Sequence, residues 1–364
     1  MNVLTLINKF ADENKIEYGI CGAEDFEYLR KDFERAAVNF AGFIGSDTEK
    51  RIYPKLTLQN AASIIVLAKS YYKKYSFSND QNLRANISMG AVGTDYHMEM
   101  KKLFEGIGNI LEKFGAKYAA FSDTGPLCDR AVAERSKLGF RGKNGCIVTP
   151  KSGSAVFLGY IITDLKLKNT NNHYDGCKDC RKCIDACPTG ALSDNGFDYR
   201  KCISYLTQVK RVLSFEEMKS IGFELYGCDR CQRVCRGTNN KFEEINDIEK
   251  CRPLIKDILK MSNREFKGKF GGTAMGWRGA NIIKRNAICA LLKYGNDEAI
   301  NLAEVMTESE SKLLRQTAIR ALILLNNGNI STFLSEYIKE EKDKDILKDL
   351  EILEEKWDTG TQED

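Results

Sequence analysis

Eight of the thirteen cysteines fall in one stretch, between Cys177 and Cys235. The first run is Cys177-Lys-Asp-Cys180-Arg-Lys-Cys183-Ile-Asp-Ala-Cys187-Pro188. Its spacing is C-x2-C-x2-C-x3-C-P, the bacterial ferredoxin pattern. Thiolates are soft, charged donors that suit iron. Three closely spaced ligands wrap three corners of a cubane, and the fourth is carried to the other cluster. The second run, Cys228-Asp-Arg-Cys231-Gln-Arg-Val-Cys235, has only three cysteines, and Cys202 stands between the two runs. The set closes if Cys177, Cys180, Cys183 and Cys235 hold one 4Fe–4S cluster and Cys187, Cys202, Cys228 and Cys231 hold the other. Zinc often takes paired C-x2-C units, but the x2-x2-x3-Pro run is the more specific signal. Arg236 stands where a second ferredoxin repeat has proline. That position shapes the loop and is not a ligand.

Two clusters make a wire, and a wire needs a terminus. No G-x-G-x-x-G follows a strand, so no nicotinamide or flavin fingerprint is present. With only His97 and His173, a multi-histidine metal site is not expected. The N-terminal region must therefore hold its redox partner by shape. The other cysteines, Cys21, Cys128, Cys146, Cys251 and Cys289, read as small buried hydrophobes. No N-terminal signal pattern is seen, and apolar runs such as Ile64–Ala68 are too short to span a bilayer. The chain reads as a soluble, monomeric protein of the reducing cytoplasm without a membrane partner, where disulfides are rare.

The elements that must position this chemistry fall into three parts. Residues 1–165 read as mixed α/β. Ala61–Ala68, Tyr118–Phe121 and Val156–Ile162 suit strands. Met100, Leu103, Phe104, Ile107, Leu111 and Phe114 recur at helical spacing, which predicts a helix over His97–Phe114 ended by Gly115. Ser122–Leu127 lies just beyond a strand, where α/β folds favour ligand sites. Residues 166–240 carry the cysteines after a polar, Asn-rich linker, Lys168–Gly176. Residues 241–364 read as helical. Lys284–Leu292 (KRNAICALL) is echoed by Arg315–Ile323 (RQTAIRALI), 31 residues later, as stacked HEAT-type repeats would be.

In this order the chain resembles the epoxyqueuosine reductases. The resemblance rests on the cysteine pattern together with Thr94-Asp-Tyr-His97, Ser122-Asp-Thr-Gly-Pro126, Gly139-Phe-Arg-Gly-Lys-Asn144, Gly153-Ser154 and Arg285-Asn286-Ala287. It covers nearly the whole chain. It implies a cobalamin in the N-terminal domain beside the clusters, and a tRNA substrate modified at the wobble position. Electrons from an external donor, such as a ferredoxin or flavodoxin, would pass through the clusters to cobalt. The reaction implied removes the epoxide oxygen of epoxyqueuosine to leave queuosine. The departing oxygen needs a proton, and Asp123 matches the family's donor. Without the resemblance, Asp before Thr-Gly-Pro reads as an Asx-turn or helix cap. Cobalamin contacts implied are Arg51, Ala91, Asp123, Ile147 and Leu158, with Lys143, Asn144 and Ser154 as neighbours. The sequence around Ala91, Ser88-Met-Gly-Ala-Val-Gly93, departs from the family's more basic and aromatic version, and Arg141 replaces an apolar residue.

Charge is unevenly placed. From Cys251 to Lys293 there are 10 Lys/Arg against 2 Asp/Glu, and from Tyr294 to Asp364 there are 8 against 17. Such a basic block binds RNA through phosphates, and the interleaved Phe266, Phe270 and Trp277 suit stacking on splayed bases. The block and the helical tail favour a tRNA over the substrate of a related corrinoid reductase, such as an organohalide. A bare electron-transfer module would leave the α/β part without a purpose.

Overall fold

The computed structural model describes residues 2–39, 47–75, 81–235 and 243–325, and residues 336–350 apart from 338 and 349. Arg236, and residues 326–335 and 351–364 of the segment that reads as helical in sequence, lie outside the described residues.

The N-terminal part is built on one antiparallel sheet. Its strands are β1 (Ile16–Gly22), β2 (Ser63–Ser70), β3 (Tyr118–Phe121) and β4 (Val156–Thr163), in the order β1-β2-β4-β3. Helices α1 (Val3–Asn14) and α2 (Tyr96–Glu112) cover one face, and α3 (Asp129–Arg135) covers the other. Strand β2 shows why its apolar run is continuous. Ile65 and Leu67 pack with Ile7, Met100 and Ile107 on the first face, whereas Ile64 and Val66 pack with Val132 and Tyr160 on the second. Successive side chains point to opposite faces, so a strand covered twice must be apolar throughout. Helix α2 follows the predicted periodicity. It begins where Asp95 accepts the His97 N–H at 2.9 Å, and Gly115 takes φ +71° just beyond its end. It lies so close to β4 that a Cβ on Gly159 would sit 2.5 Å from the Phe104 ring.

The Lys168–Gly176 segment is not a free linker. Thr170 runs along β1, its hydroxyl accepting from Ile20 N at 2.9 Å and its own N–H donating to Ile20 O at 2.9 Å.

The largest core joins regions distant in sequence. Leu83, Ala85, Ile87, Ala91 and Val92 pack with Leu206 and Leu225 and with α4 (Ala280–Leu291), α5 (Asp297–Thr307) and α6 (Lys312–Leu325). Two short parallel pairings add to this: Asn86–Ile87 with Glu224–Tyr226, and Lys73–Tyr75 with Glu243–Ile245. The two echoed sequences lie on α4 and α6, which pack on each other and on α5. At the centre of this core, Arg285 is fully buried. Its guanidinium donates to the carbonyls of Leu206 (2.7 Å), Val209 (2.5 Å) and Arg211 (2.8 Å). Asn286 accepts from it and donates to the carbonyls of Thr207 and Leu225, both at 2.8 Å. The pair thus ties α4 to the cysteine-bearing segment.

Candidate functional site

Cysteine positions follow from tight local geometry. Gly176 and Lys178 take φ +71° and +46°, which wraps the chain around Cys177, and Cys180 N donates back to Cys177 O at 2.9 Å. Cys183 lies on the short helix Lys182–Asp185, and Cys187 follows it. Burial pushes the Cys187 thiol up, but N–H groups of Leu192, Thr189 and Ala191 and the Thr189 hydroxyl outweigh it, so the net shift is down. Donors of that kind stabilise a thiolate. Cys202 sits at the start of Ile203–Leu206, with the Tyr205 and Ser204 N–H groups facing its sulfur.

The thiols lie close enough to influence one another. Cys183 feels Cys235 and Cys177, and Cys235 feels Cys177 and Cys180. Cys202 feels Cys187, and Cys231 feels Cys146, Cys228, Cys202 and Cys183, so the influence crosses between the two runs.

Between the sheet and the second cysteine run lies a cleft of about 850 Å³. Arg51, Ala91, Asp123, Ile147, Ser154 and Leu158 all line it, and Cys228 faces it from the other side. The Met89–Ala91 turn is fixed from across the cleft, because Asp229 accepts the Met89 N–H at 2.7 Å. Apolar lining residues together with the polar groups of Arg51, Arg130 and Ser154 suit a large flat macrocycle with polar arms. Lys143 and Asn144 do not line it. The Lys143 N–H points to Cys177 Sγ at 3.4 Å, and the buried Asn144 donates to Ser154 Oγ at 3.0 Å. Arg141 lines the cleft while its guanidinium holds Glu134 at 2.7 Å.

Asp123 is neither an Asx-turn nor a cap in the form expected. It takes φ +58°, a left-handed backbone that costs an L residue ~1 kcal/mol, and Cys128 caps the next helix. Its N–H donates to Asp129 Oδ2 at 2.9 Å. Asp123 is exposed, whereas Asp129 is half-buried with its Oδ1 shielded from solvent. Burial pushes Asp129 up to about 7, against the Asp123 N–H, Arg130 and Arg51, which pull it down. Tyr96 faces Asp123; burial first, and then that carboxylate, raise its phenol.

Several lining residues escaped the sequence reading. Tyr71 and Tyr96 flank Phe157, with ring centroids 4.5 and 4.8 Å apart. Gln232 donates to Tyr71 Oη at 2.5 Å and Ser154 O at 2.9 Å. Cys128 and Cys146 are half-buried and line the cleft, whereas Cys21, Cys251 and Cys289 are core residues as expected. The i, i+2 register of strand ends offered one signal for Tyr71 and Phe157. Gln232 and the two cysteines carried none, because their neighbours come from far along the chain.

The basic block divides. Lys256, Lys260, Arg264, Lys267, Lys269 and Lys293 are exposed. Arg285 is not available to a phosphate, since the core carbonyls use it. Phe266 and Phe270 are core residues and cannot stack on a base. Trp277 is 61% exposed, its indole N–H donates to Tyr226 Oη at 2.9 Å, and Arg278 lies over its ring at 3.5 Å. Tyr226 lines the cleft, so Trp277 stands at its edge.

A sheet domain with a cofactor-sized cleft beside a segment carrying eight cysteines is the arrangement of an iron–sulfur oxidoreductase. Residues 176–237 match the model for a 4Fe-4S double cluster binding domain, and residues 51–124 match that of epoxyqueuosine reductase QueG. The chain is 37% identical over 356 residues to the epoxyqueuosine reductase of Bacillus anthracis, covering 93% of this chain and 94% of that one. It superposes on an epoxyqueuosine reductase solved with an epoxyqueuosine-modified tRNA-Tyr stem loop, with TM-score 0.86, 33% identity, and 96% and 98% coverage. A structure from Bacillus subtilis, with its catalytic aspartate loop swung out of the active site, matches with TM-score 0.85, 33% identity, and 96% and 98% coverage. The chain belongs to the epoxyqueuosine reductase family. Among the described residues, no helix is long and apolar enough to cross a membrane.

Proposed function

We propose that this chain reduces epoxyqueuosine to queuosine at the wobble position of tRNA anticodons, using two 4Fe–4S clusters and a cobalamin. The observation that carries the reading is the single cleft that gathers Asp123, Arg51, Ala91, Ile147, Ser154 and Leu158 opposite Cys228. When bound, these cofactors supply reducing electrons and a low-valent cobalt.

The chain's own residues do the rest. Cys177, Cys180, Cys183 and Cys235 hold one cluster, and Cys187, Cys202, Cys228 and Cys231 hold the other; the ferredoxin spacing of the first run supports this division. Ala91, Ile147 and Leu158 would give the macrocycle an apolar bed, and Arg51 and Ser154 would offer it polar contacts. Asp123 delivers the proton that the departing epoxide oxygen requires, since a bare alkoxide is a poor product. The relative whose aspartate loop swings away from its active site supports that role for the loop.

Residues 1–165 act as the cofactor and catalytic domain, 166–240 as the cluster domain, and 241–364 as a HEAT-like RNA-binding part. The exposed cations neutralise phosphates without reading sequence. Trp277 offers a stacking face beside the cleft. An external one-electron carrier supplies the clusters, and the chain works as a monomer. The family membership weighs against an organohalide as substrate.

The test is an anaerobic assay of cluster-loaded protein with cobalamin, a strong reductant and RNA carrying epoxyqueuosine, nucleosides being read by mass spectrometry. Cobalamin-dependent loss of one oxygen is expected. No conversion by protein that demonstrably holds both cofactors overturns the reading.

A further inference from the structure

We propose that Asp129 is the positioning residue for Asp123: its carboxylate grips the main chain of the acid's loop and keeps that loop turned into the cleft. The inference rests on the reading of Asp123 as the proton donor.

The geometry is specific. Asp123 stands at φ +58° in the Ser122–Leu127 loop. Non-glycine residues hold such a backbone only when their surroundings impose it. The Asp123 N–H donates to Asp129 Oδ2 at 2.9 Å. The far end of the loop is anchored separately, where Leu127 N donates to Tyr160 Oη at 2.7 Å. Asp129 is the first residue of α3, and α3 packs on the central strands β2 and β4. The grip therefore comes from the rigid scaffold and acts on the irregular segment.

Helix-capping alone does not explain the residue. An aspartate in a first helical turn ordinarily faces water. Asp129 lines the cleft instead, and its Oδ1 is buried without a hydrogen-bond partner. A buried carboxyl carries a desolvation cost, and the fold tolerates it at the one place where it reaches the Asp123 amide. The charged and titratable groups around it are Asp123, Arg130, Arg51, Tyr96 and Tyr160. The two arginines favour the carboxylate, the better acceptor, while burial pushes the group up to about 7.

The experiment compares Asp129→Ala and Asp129→Asn in the cofactor-loaded protein, with two readouts. One is kcat and KM on epoxyqueuosine RNA. The other is hydrogen exchange of the peptide carrying Asp123, which needs no turnover. Asp129→Ala is expected to lower kcat ~100-fold with KM nearly unchanged, because a misaimed acid affects the chemical step and not RNA binding. Exchange at Asp123 should rise ~10-fold. Asp129→Asn keeps an acceptor oxygen at the same place and should recover most of both. Lost activity with unchanged exchange overturns the proposal, as does wild-type behaviour of Asp129→Ala. If Asp129→Ala does not fold, Asp129→Asn decides: a loose, slow Asn variant also overturns it. Asp123→Asn keeps the two ideas apart. Full activity in that variant, with a loop still loosened by Asp129→Ala, removes the acid and leaves the grip.

Discussion

Asn144 donates to Ser154 Oγ at 3.0 Å, with both side chains buried. Ser154 in turn faces the Cys235 thiol through its hydroxyl and its main chain. A pair taken from the sequence as cofactor neighbours therefore links the cleft wall to a cysteine. A donor to sulfur stabilises the more negative, reduced cluster. Ser154→Ala should move one cluster's midpoint to a more negative potential, by less than the ~59 mV of a tenfold one-electron shift. Both clusters should be retained. A redox titration followed by EPR checks this, and an unmoved or more positive midpoint contradicts it.

The pH dependence of stability follows from Asp129. Its carboxyl is raised to about 7, against about 3.9 in an unfolded chain. Between those values the folded protein holds a proton that the unfolded chain releases. The group therefore favours folding at low pH, and that contribution is lost as pH rises through about 7. Asp129→Asn removes the titration. Its stability relative to wild type should improve between pH 5 and pH 8 by ~1 kcal/mol or more. Thermal unfolding at the two pH values measures the gap, and a constant gap refutes the shift.

Arg285 should prove structural. Truncation to alanine leaves the carbonyls of Leu206, Val209 and Arg211 without their donor in a buried site. The loss is ~3 kcal/mol or more. Lysine should not restore it, since one ammonium cannot reproduce the guanidinium fork. Thermal melts of both variants test this, together with RNA affinity in whatever remains folded, which should be unchanged.

Trp277 is the aromatic of the basic block that can meet RNA. Trp277→Ala should weaken binding of an anticodon stem loop by ~1–3 kcal/mol with little change in salt slope. Changing Lys267 and Lys269 to glutamine should instead flatten the slope by about 2. Titrations at several salt concentrations separate the two effects, and an unaltered affinity for Trp277→Ala removes the stacking role.

These contrasts show what could be read from the chain alone. Strand β2 was legible because Ile64–Ala68 form a short apolar run, and α2 because Met100, Phe104, Ile107 and Leu111 share one face. The double-cluster segment was legible because cluster ligation constrains local spacing. Phe266 and Trp277 look alike in sequence, yet one is core and the other exposed. Only the packing of α4 against the cysteine segment separates them, and that contact spans about eighty residues, as the Asn286 bond to Thr207 shows. Asp129 was passed over for a related reason. It reads as an ordinary first-turn acid until the Asp123 loop folds onto it.

The central claim is that Asp123 supplies the proton beside a cobalamin held in the cleft. Its most direct test is Asp123→Asn in protein shown to hold cobalamin and both clusters, assayed anaerobically on epoxyqueuosine RNA with mass spectrometry of the nucleosides. The account predicts that cofactors stay bound while turnover falls at least ~100-fold. Turnover near that of the wild type contradicts it.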